Sequence, residues 1–277
     1  MALLPDFDSF ARAYDAGENQ VVYARLTADL DTPVSLMMKL ADAGENAFML
    51  ESVTGGEVRG RYSIIGMNPD LIWECRGTQS RLNRDARFDP DGFIPCADEP
   101  LTALRALIAE SRIDLPDDLP AAAAGLFGYL GYDMIRLVER LPDVNPDPLG
   151  LPDAMMLRPS VIAVLDGVKG DVILVAPAWA GSGLSAKAAY AQAAERVMDA
   201  QRTLDRALPA ERTLADGKEI APPVSNFTHQ GYLDAVEKAK DYIRAGDIFQ
   251  VVPAQRWTQD FREPPFNLYR SLRRTNP

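Results

Sequence analysis

The sequence predicts helices and strands in one chain, with neighbouring strands joined by turns. Three observations carry that expectation. Residues 161–165 and 171–176 are β-rich runs separated by Asp-Gly-Val-Lys-Gly, a strong hairpin signal. Residues 47–50 and 62–65 are short apolar runs around the glycine pair Gly55-Gly56, which suggests two neighbouring strands with a longer connection. Between such runs lie stretches whose apolar residues recur at helical spacing.

Taken in order, residues 5–16 read as a short amphipathic helix, with Phe7, Phe10 and Tyr14 on one stripe. Residues 20–27 read as a strand. Residues 33–42 are helical through Val34, Met37, Met38 and Ala41. The paired runs at 47–66 follow, then a further strand at 71–75, then a polar, turn-rich stretch at 76–97. Leu101, Leu104, Leu107 and Ile108 mark a helix over 101–111, and the prolines and acids of Ile-Asp-Leu-Pro-Asp-Asp-Leu-Pro disfavour regular structure after it. Residues 121–141 begin as a glycine-rich strand and continue as a helix from about Asp133 to Leu141. The loop 142–153, the hairpin, and a long Ala-rich helix over 184–208 complete the first part.

Of 277 residues, 47% are hydrophobic and 25% charged, an ordinary soluble balance with enough chain for a substantial core. The formal charge of −11 repels phosphate backbones and anionic lipid, so nucleic acid and membrane are not expected partners. The start, Met-Ala-Leu-Leu-Pro-Asp-Phe-Asp, carries acids where a secretory signal carries bases, and residues 121–130 are too short to span a bilayer. Cys75 and Cys96 lack metal-ligand spacing, and a single histidine, His229, leaves no zinc site or Ser-His-Asp triad. His229, at a helix start, reads as structural. A reduced, cytoplasmic protein is expected.

Two motifs have competing readings. Glu51 and Ser52 end the apolar run 47–50: they are either solvated strand-end residues or polar groups at the mouth of an apolar slot, as an amphipathic ligand requires. Gly125, Gly128 and Gly131 do not have the spacing of a dinucleotide fingerprint, and close backbone packing explains them better than a phosphate cradle.

Residues 209–226 have linker composition and make the best domain boundary. Beyond them the balance turns slightly basic. Thr228 N-caps a helix with a stripe of Tyr232, Val236, Ala239 and Ile243, ended by Gly246. A strand is expected at 248–252 and a helix at 266–274. One or two helices and a lone strand close no core, so this second part is expected to be incomplete.

Four stretches together resemble the anthranilate synthase component I family: 31–40, 48–66 (Phe-Met-Leu-Glu-Ser-Val-Thr-Gly-Gly-Glu-Val-Arg-Gly-Arg-Tyr-Ser-Ile-Ile-Gly), 124–142 and 246–257. They lie in the family's order and cover most of the chain. The resemblance implies an α+β fold, with mixed or antiparallel sheets and flanking helices. It implies an amino-terminal regulatory domain at 1–210, a linker at 211–226 and the start of a chorismate-binding domain at 227–277. It also implies the first step of tryptophan biosynthesis, in which chorismate and ammonia give anthranilate and pyruvate, with ammonia from a glutamine amidotransferase component. Mg²⁺ is the implied cofactor, with ligands and most chorismate contacts expected in a carboxy-terminal half; no metal ligands are expected in this sequence, and residues 1–277 alone are expected to be inactive.

In the family, free tryptophan inhibits from a pocket between the two regions. Leu50, Glu51 and Ser52 inherit one wall, with Met49 a mild departure from the motif's leucine; Asn276 and Pro277 begin the other. Glu51 would face the ligand's ammonium and Ser52 offers a hydroxyl. In related isochorismate-forming enzymes the strand matching 248–252 carries a lysine that activates water. Gln250 stands there instead and cannot act as a base near neutral pH, so it either favours ammonia as nucleophile or is a plain polar strand residue. The other readings are aminodeoxychorismate synthase component I and a non-catalytic amino-acid-binding module.

Overall fold

The structure, a computed structural model, describes residues 2–41, 46–51, 60–142, 146–208 and 221–276. The chain divides into two compact units, Met1–Pro209 and Ala210–Pro277.

The first unit runs α1 (Phe7–Asp15), β1 (Gln20–Thr27), α2 (Pro33–Leu40), β2 (Phe48–Leu50), β3 (Tyr62–Arg76), β4 (Gln79–Asn83), β5 (Ile94–Pro95), α3 (Pro100–Glu110), β6 (Phe127–Leu130), β7 (Ala154–Asp166), β8 (Asp171–Ala178) and α4 (Ala186–Leu204). The helix starts are set by side-chain caps: Asp6 accepts from the amide of Ser9 at 2.9 Å, Thr32 and Ser35 form a reciprocal capping box, and Ser185 accepts from Ala188.

All pairings among the described strands are antiparallel, with β1-β8-β7-β3-β4-β5 as the main path. The two long strands, β3 and β7, pair along most of their length. Beyond β3 lie first β2, against Ile64–Gly66, then β4, against Ile72–Arg76. Beyond β7 lie β6, against Ala154–Leu157, and β8, against Ile162–Asp166. The sheet is thus two half-sheets sharing β3 and β7. The α+β class with antiparallel sheet and flanking helices is what the structure has.

The halves meet at a bulge. Register shifts between Pro69 and Leu71, Pro69 lies opposite Pro159, and Asn68 adopts a left-handed φ of 49°. Neither proline offers an N–H to the ladder, so the break falls where pairing is weakest. Asp70, the bulged residue, is held by Arg158, which donates to its two carboxylate oxygens at 2.8 and 3.2 Å, and by the Trp179 indole at 2.7 Å. Arg158 is buried and also donates to Glu110 at 3.2 Å, and Glu110 accepts a bidentate pair from Arg84.

Packing is two-sided, which is why β1 and β8 read as continuous apolar runs. One face, with Val22, Ile65, Ala163 and Leu174, is covered by α1, α2 and α4 through Phe10, Leu36, Ala193 and Val197. The other, with Val21, Ile64, Ile162 and Val175, is covered by the irregular segment 113–127 through Leu119 and Ala123. In the second half-sheet, Leu71, Trp73 and Cys75 pack against Leu104 and Leu107 of α3.

The second unit has β9 (Val224–Ser225), α5 (His229–Ala245), β10 (Trp257–Thr258) and α6 (Pro265–Thr275). Thr228 accepts from Gly231 at 3.0 Å to cap α5, and Gly246 ends it at φ 85°. His229 is the first helical residue.

Three local expectations are corrected. The turn-rich stretch contains β4, in which exposed Gln79 and Arg81 flank buried Ser80 and the strand closes on buried Asn83. The helix expected over 133–141 is instead a shorter 3-10 segment, Tyr132–Leu137, because Gly131 is tied to Asp153 and Arg136 folds back on Leu141 and Pro142. The expected strand at 248–252 is irregular chain: among the described residues nothing pairs with it, and Phe249 is 94% exposed.

Candidate functional site

The predicted site begins on β2. Its register pairs Phe48 with Gly66, Met49 with Ile65 and Leu50 with Ile64, so Phe48 and Leu50 share one face and Met49 takes the other. Met49 packs into the helix-covered core. Phe48 packs on the opposite face, beside Tyr62, Ile64 and Phe127, and stacks on Phe127 with centroids 4.7 Å apart. A Cβ at Gly66 would lie 2.3 Å from the Phe48 ring, so glycine is required across the strand pair. Leu50 ends the strand 52% exposed, and Glu51 follows half-buried. Ser52 lies outside the described residues.

Gly60 adopts a left-handed φ of 86°, and the chain is anchored one residue later. Arg61 donates through Nε and Nη2 to Asp166 at 2.9 and 2.6 Å. Asp166, 1% exposed at the end of β7, also accepts from the amides of Val168 and Lys169 in the hairpin turn. The Arg61 hydrogen bonds hold its carboxyl down at about 2 against the opposing effect of burial. Arg61 lies 4.9 Å over the Tyr62 ring and its carbonyl accepts from Gly167 at 2.9 Å. The connection between β2 and β3 therefore leaves and returns beside an aromatic floor of Phe48, Tyr62 and Phe127, its return end bolted to the β7–β8 hairpin. Such a floor suits a planar apolar body.

Leu50 and Glu51 are thus adjacent in the first unit. Gln250 lies in the second, exposed in the irregular chain between α5 and β10; Asn276 is there too, closing α6 with its amide donating to Leu272 at 2.8 Å. Pro277 lies outside the described residues. The Arg61–Asp166 pair escaped the sequence reading. Its signals were local: an arginine between a glycine and the second strand, and an aspartate before the hairpin glycine.

The glycine-rich stretch is a close-packing device. A Cβ at Gly128 would sit 1.9 Å from the Met155 carbonyl oxygen, and one at Gly131 2.7 Å from that of Asp153. A cavity of about 700 Å³ opens at the β3–β4 hairpin between Glu74, Arg81 and Cys96; no described residue of 48–63 lines it. Among the described residues no group of three or more His, Cys, Asp or Glu side chains could hold a metal ion. Among them, too, no helix is long and apolar enough to cross a membrane.

A sequence model of the chorismate binding enzyme family matches residues 45–277. Anthranilate synthase component 1 of Cereibacter sphaeroides is 72% identical over 274 residues, covering 99% of this chain and 55% of that protein. Its counterpart in Pseudomonas aeruginosa is 38% identical over 284 residues, covering 98% and 54%. The crystal structure of anthranilate synthase component I from Streptococcus pneumoniae superposes with a TM-score of 0.61 at 26% identity, covering 91% of this chain and 52% of that one. The chain spans about half the length of the curated relatives it matches. The chain belongs to the chorismate binding enzyme family, within its anthranilate synthase component I group.

Proposed function

We propose that this chain carries the tryptophan-sensing region of an anthranilate synthase component I. The enzyme it serves converts chorismate and ammonia to anthranilate, pyruvate and water. Ammonia comes from a glutamine amidotransferase component, magnesium assists, and the enzyme works in the cytoplasm. The observation that carries this reading is the string from Leu50-Glu51-Ser52 to Gly66, whose described ends, Phe48–Leu50 and Ile64–Gly66, pair beside Tyr62 and Phe127.

In this reading Phe48 and Leu50 supply apolar wall for the indole, Glu51 receives the ammonium and Ser52 offers its hydroxyl. Asn276 and Pro277 begin the second wall, and Gln250 sets the preference for ammonia over water as nucleophile. The domain limits of 1–210, 211–226 and 227–277 belong to the same proposal. Inhibition works by population: tryptophan shifts the enzyme toward whichever conformation it binds better, by no more than its differential affinity.

The test is Ser52→Phe in the whole enzyme. Anthranilate formation should persist while tryptophan inhibition weakens by about tenfold or more, equivalent to about 1.4 kcal/mol. An unchanged inhibition curve with that variant removes Ser52 from the site.

A further inference from the structure

On the α4 side of the bulge, two adjoining cavities of about 240 and 120 Å³ share Ser160, Arg87 and Arg196 in their walls. No described residue of 48–63 lines either one. Four arginines gather at this end of the molecule, and they are not treated alike. Arg158 and Arg84 are neutralised by Asp70 and Glu110. Among the described residues neither Arg196 nor Arg87 has a carboxylate partner: Arg196 donates through Nη1 to the carbonyls of Ser160 and Pro177, and Arg87 lies 5.4 Å from the Phe88 ring.

The carbonyl contacts explain part of Arg196. Pairing of β7 with β8 stops at Ile162 and Val175, so the Ser160 and Pro177 carbonyls lie beyond that ladder, and one guanidinium nitrogen satisfies both. The remaining donors have no such use. Burial disfavours the charge on this guanidinium, and Arg87 adds to that effect, while Asp70 only partly offsets it. The Ser160 hydroxyl is buried and has no hydrogen-bond partner among the described residues. A desolvated cation, a second cation and an unmatched hydroxyl leave donors in excess, in a chain whose net charge is −11. Asp70 and Asp199 also line these cavities, but Asp70 is bound by Arg158 and Trp179 and Asp199 by Arg202. Asp85 lines the larger cavity only. Trp179 and Phe88 on one side, and Leu40 and Met67 on the other, give apolar wall.

We propose that this cleft is a second ligand site, which takes a small organic anion, a carboxylate or phosphate monoester, with its charged group between Arg87, Arg196 and Ser160. It is independent of the tryptophan reading, whose ligand is recognised through a carboxylate of the protein.

The experiment is calorimetric titration of the purified protein with phenyl phosphate, benzoate and inorganic phosphate at fixed sodium chloride. Phenyl phosphate or benzoate should bind saturably, and the preferred one identifies the charged group. Arg87→Ala should weaken that binding by about tenfold, the effect of losing one charge-assisted contact. Ser160→Ala should weaken it too while leaving the unfolding midpoint unchanged or raised, since the hydroxyl has no hydrogen-bond partner among the described residues. Failure of all three probes to bind, or equal binding by the wild type and both variants, overturns the site. Inorganic phosphate binding as tightly as phenyl phosphate overturns the organic part of the assignment.

Discussion

Gly66 and Phe48 occupy one position in space between them, and that makes a sharp residue-scale prediction. Gly66→Ala should cost about 1–3 kcal/mol in urea unfolding, because the new methyl meets a ring already fixed against Phe127. In a Phe48→Ala background the same substitution should cost less, because only the Pro159 ring, 2.9 Å from the new methyl, is left to give way, and additive costs would show that the Phe48 ring is not the obstacle. Asp166 makes a second prediction, with a direction in pH. Its folded-state pKa is depressed from the ordinary 3.8 to about 2, so its contribution is present above the unfolded value and lost as pH falls through the folded one. A shift of that size corresponds to about 2 kcal/mol. Asp166→Asn should lower stability by roughly that amount at pH 7. The gap to wild type should begin to close near pH 4 and nearly vanish at about pH 2. A constant gap across that range would mean that the loss comes from packing rather than charge.

At the scale of elements, the bulge decides what the sequence could and could not announce. The runs 62–65 and 71–75 read as separate strands because Pro69 stands between them; they are one strand, β3, since a bulge spares the ladder the missing N–H. Strand β1 and the capped helices α1, α2, α4 and α5 were legible because period and caps are local properties. The Arg158–Asp70–Glu110–Arg84 network was not, since its members come from β7, the bulge, α3 and the turn after β4. The same limit applies to the site: Leu50 and Glu51 could be read from the motif, but the floor of Tyr62 and Phe127 and the Asp166 anchor exist only once β2, β3, β6 and β7 are side by side. Residues 248–252 show the converse. Their β propensity is real, yet a strand requires a neighbour, and none of the described residues provides one. The bulge is itself testable through Asn68, whose left-handed φ of 49° tolerates asparagine or glycine and penalises β-branched residues. Asn68→Val should destabilise by about 1–2 kcal/mol while Asn68→Gly stays within a few tenths. Equal costs would place the strain elsewhere.

For the whole molecule, burial is distributed very unevenly between the two units, and that sets the order in which they should open. The first unit holds large side chains at or near zero exposure, among them Trp73, Phe10, Leu36 and Ile162. In the second, every described residue from 221 to 276 is exposed or half-buried, and its one described strand pairing is the two-residue contact of β9 with β10. Helix α5 has sound caps but no buried residue, and caps supply only about 1 kcal/mol each. Local opening follows buried apolar contact, so amides of α5 and α6 should exchange at low free energy while those of β3, β7 and β8 exchange only on global unfolding. Limited proteolysis of the 277-residue chain should therefore cut first within 221–276 and leave a resistant product containing α1 through α4. Cleavage beginning in the first unit would contradict the burial argument.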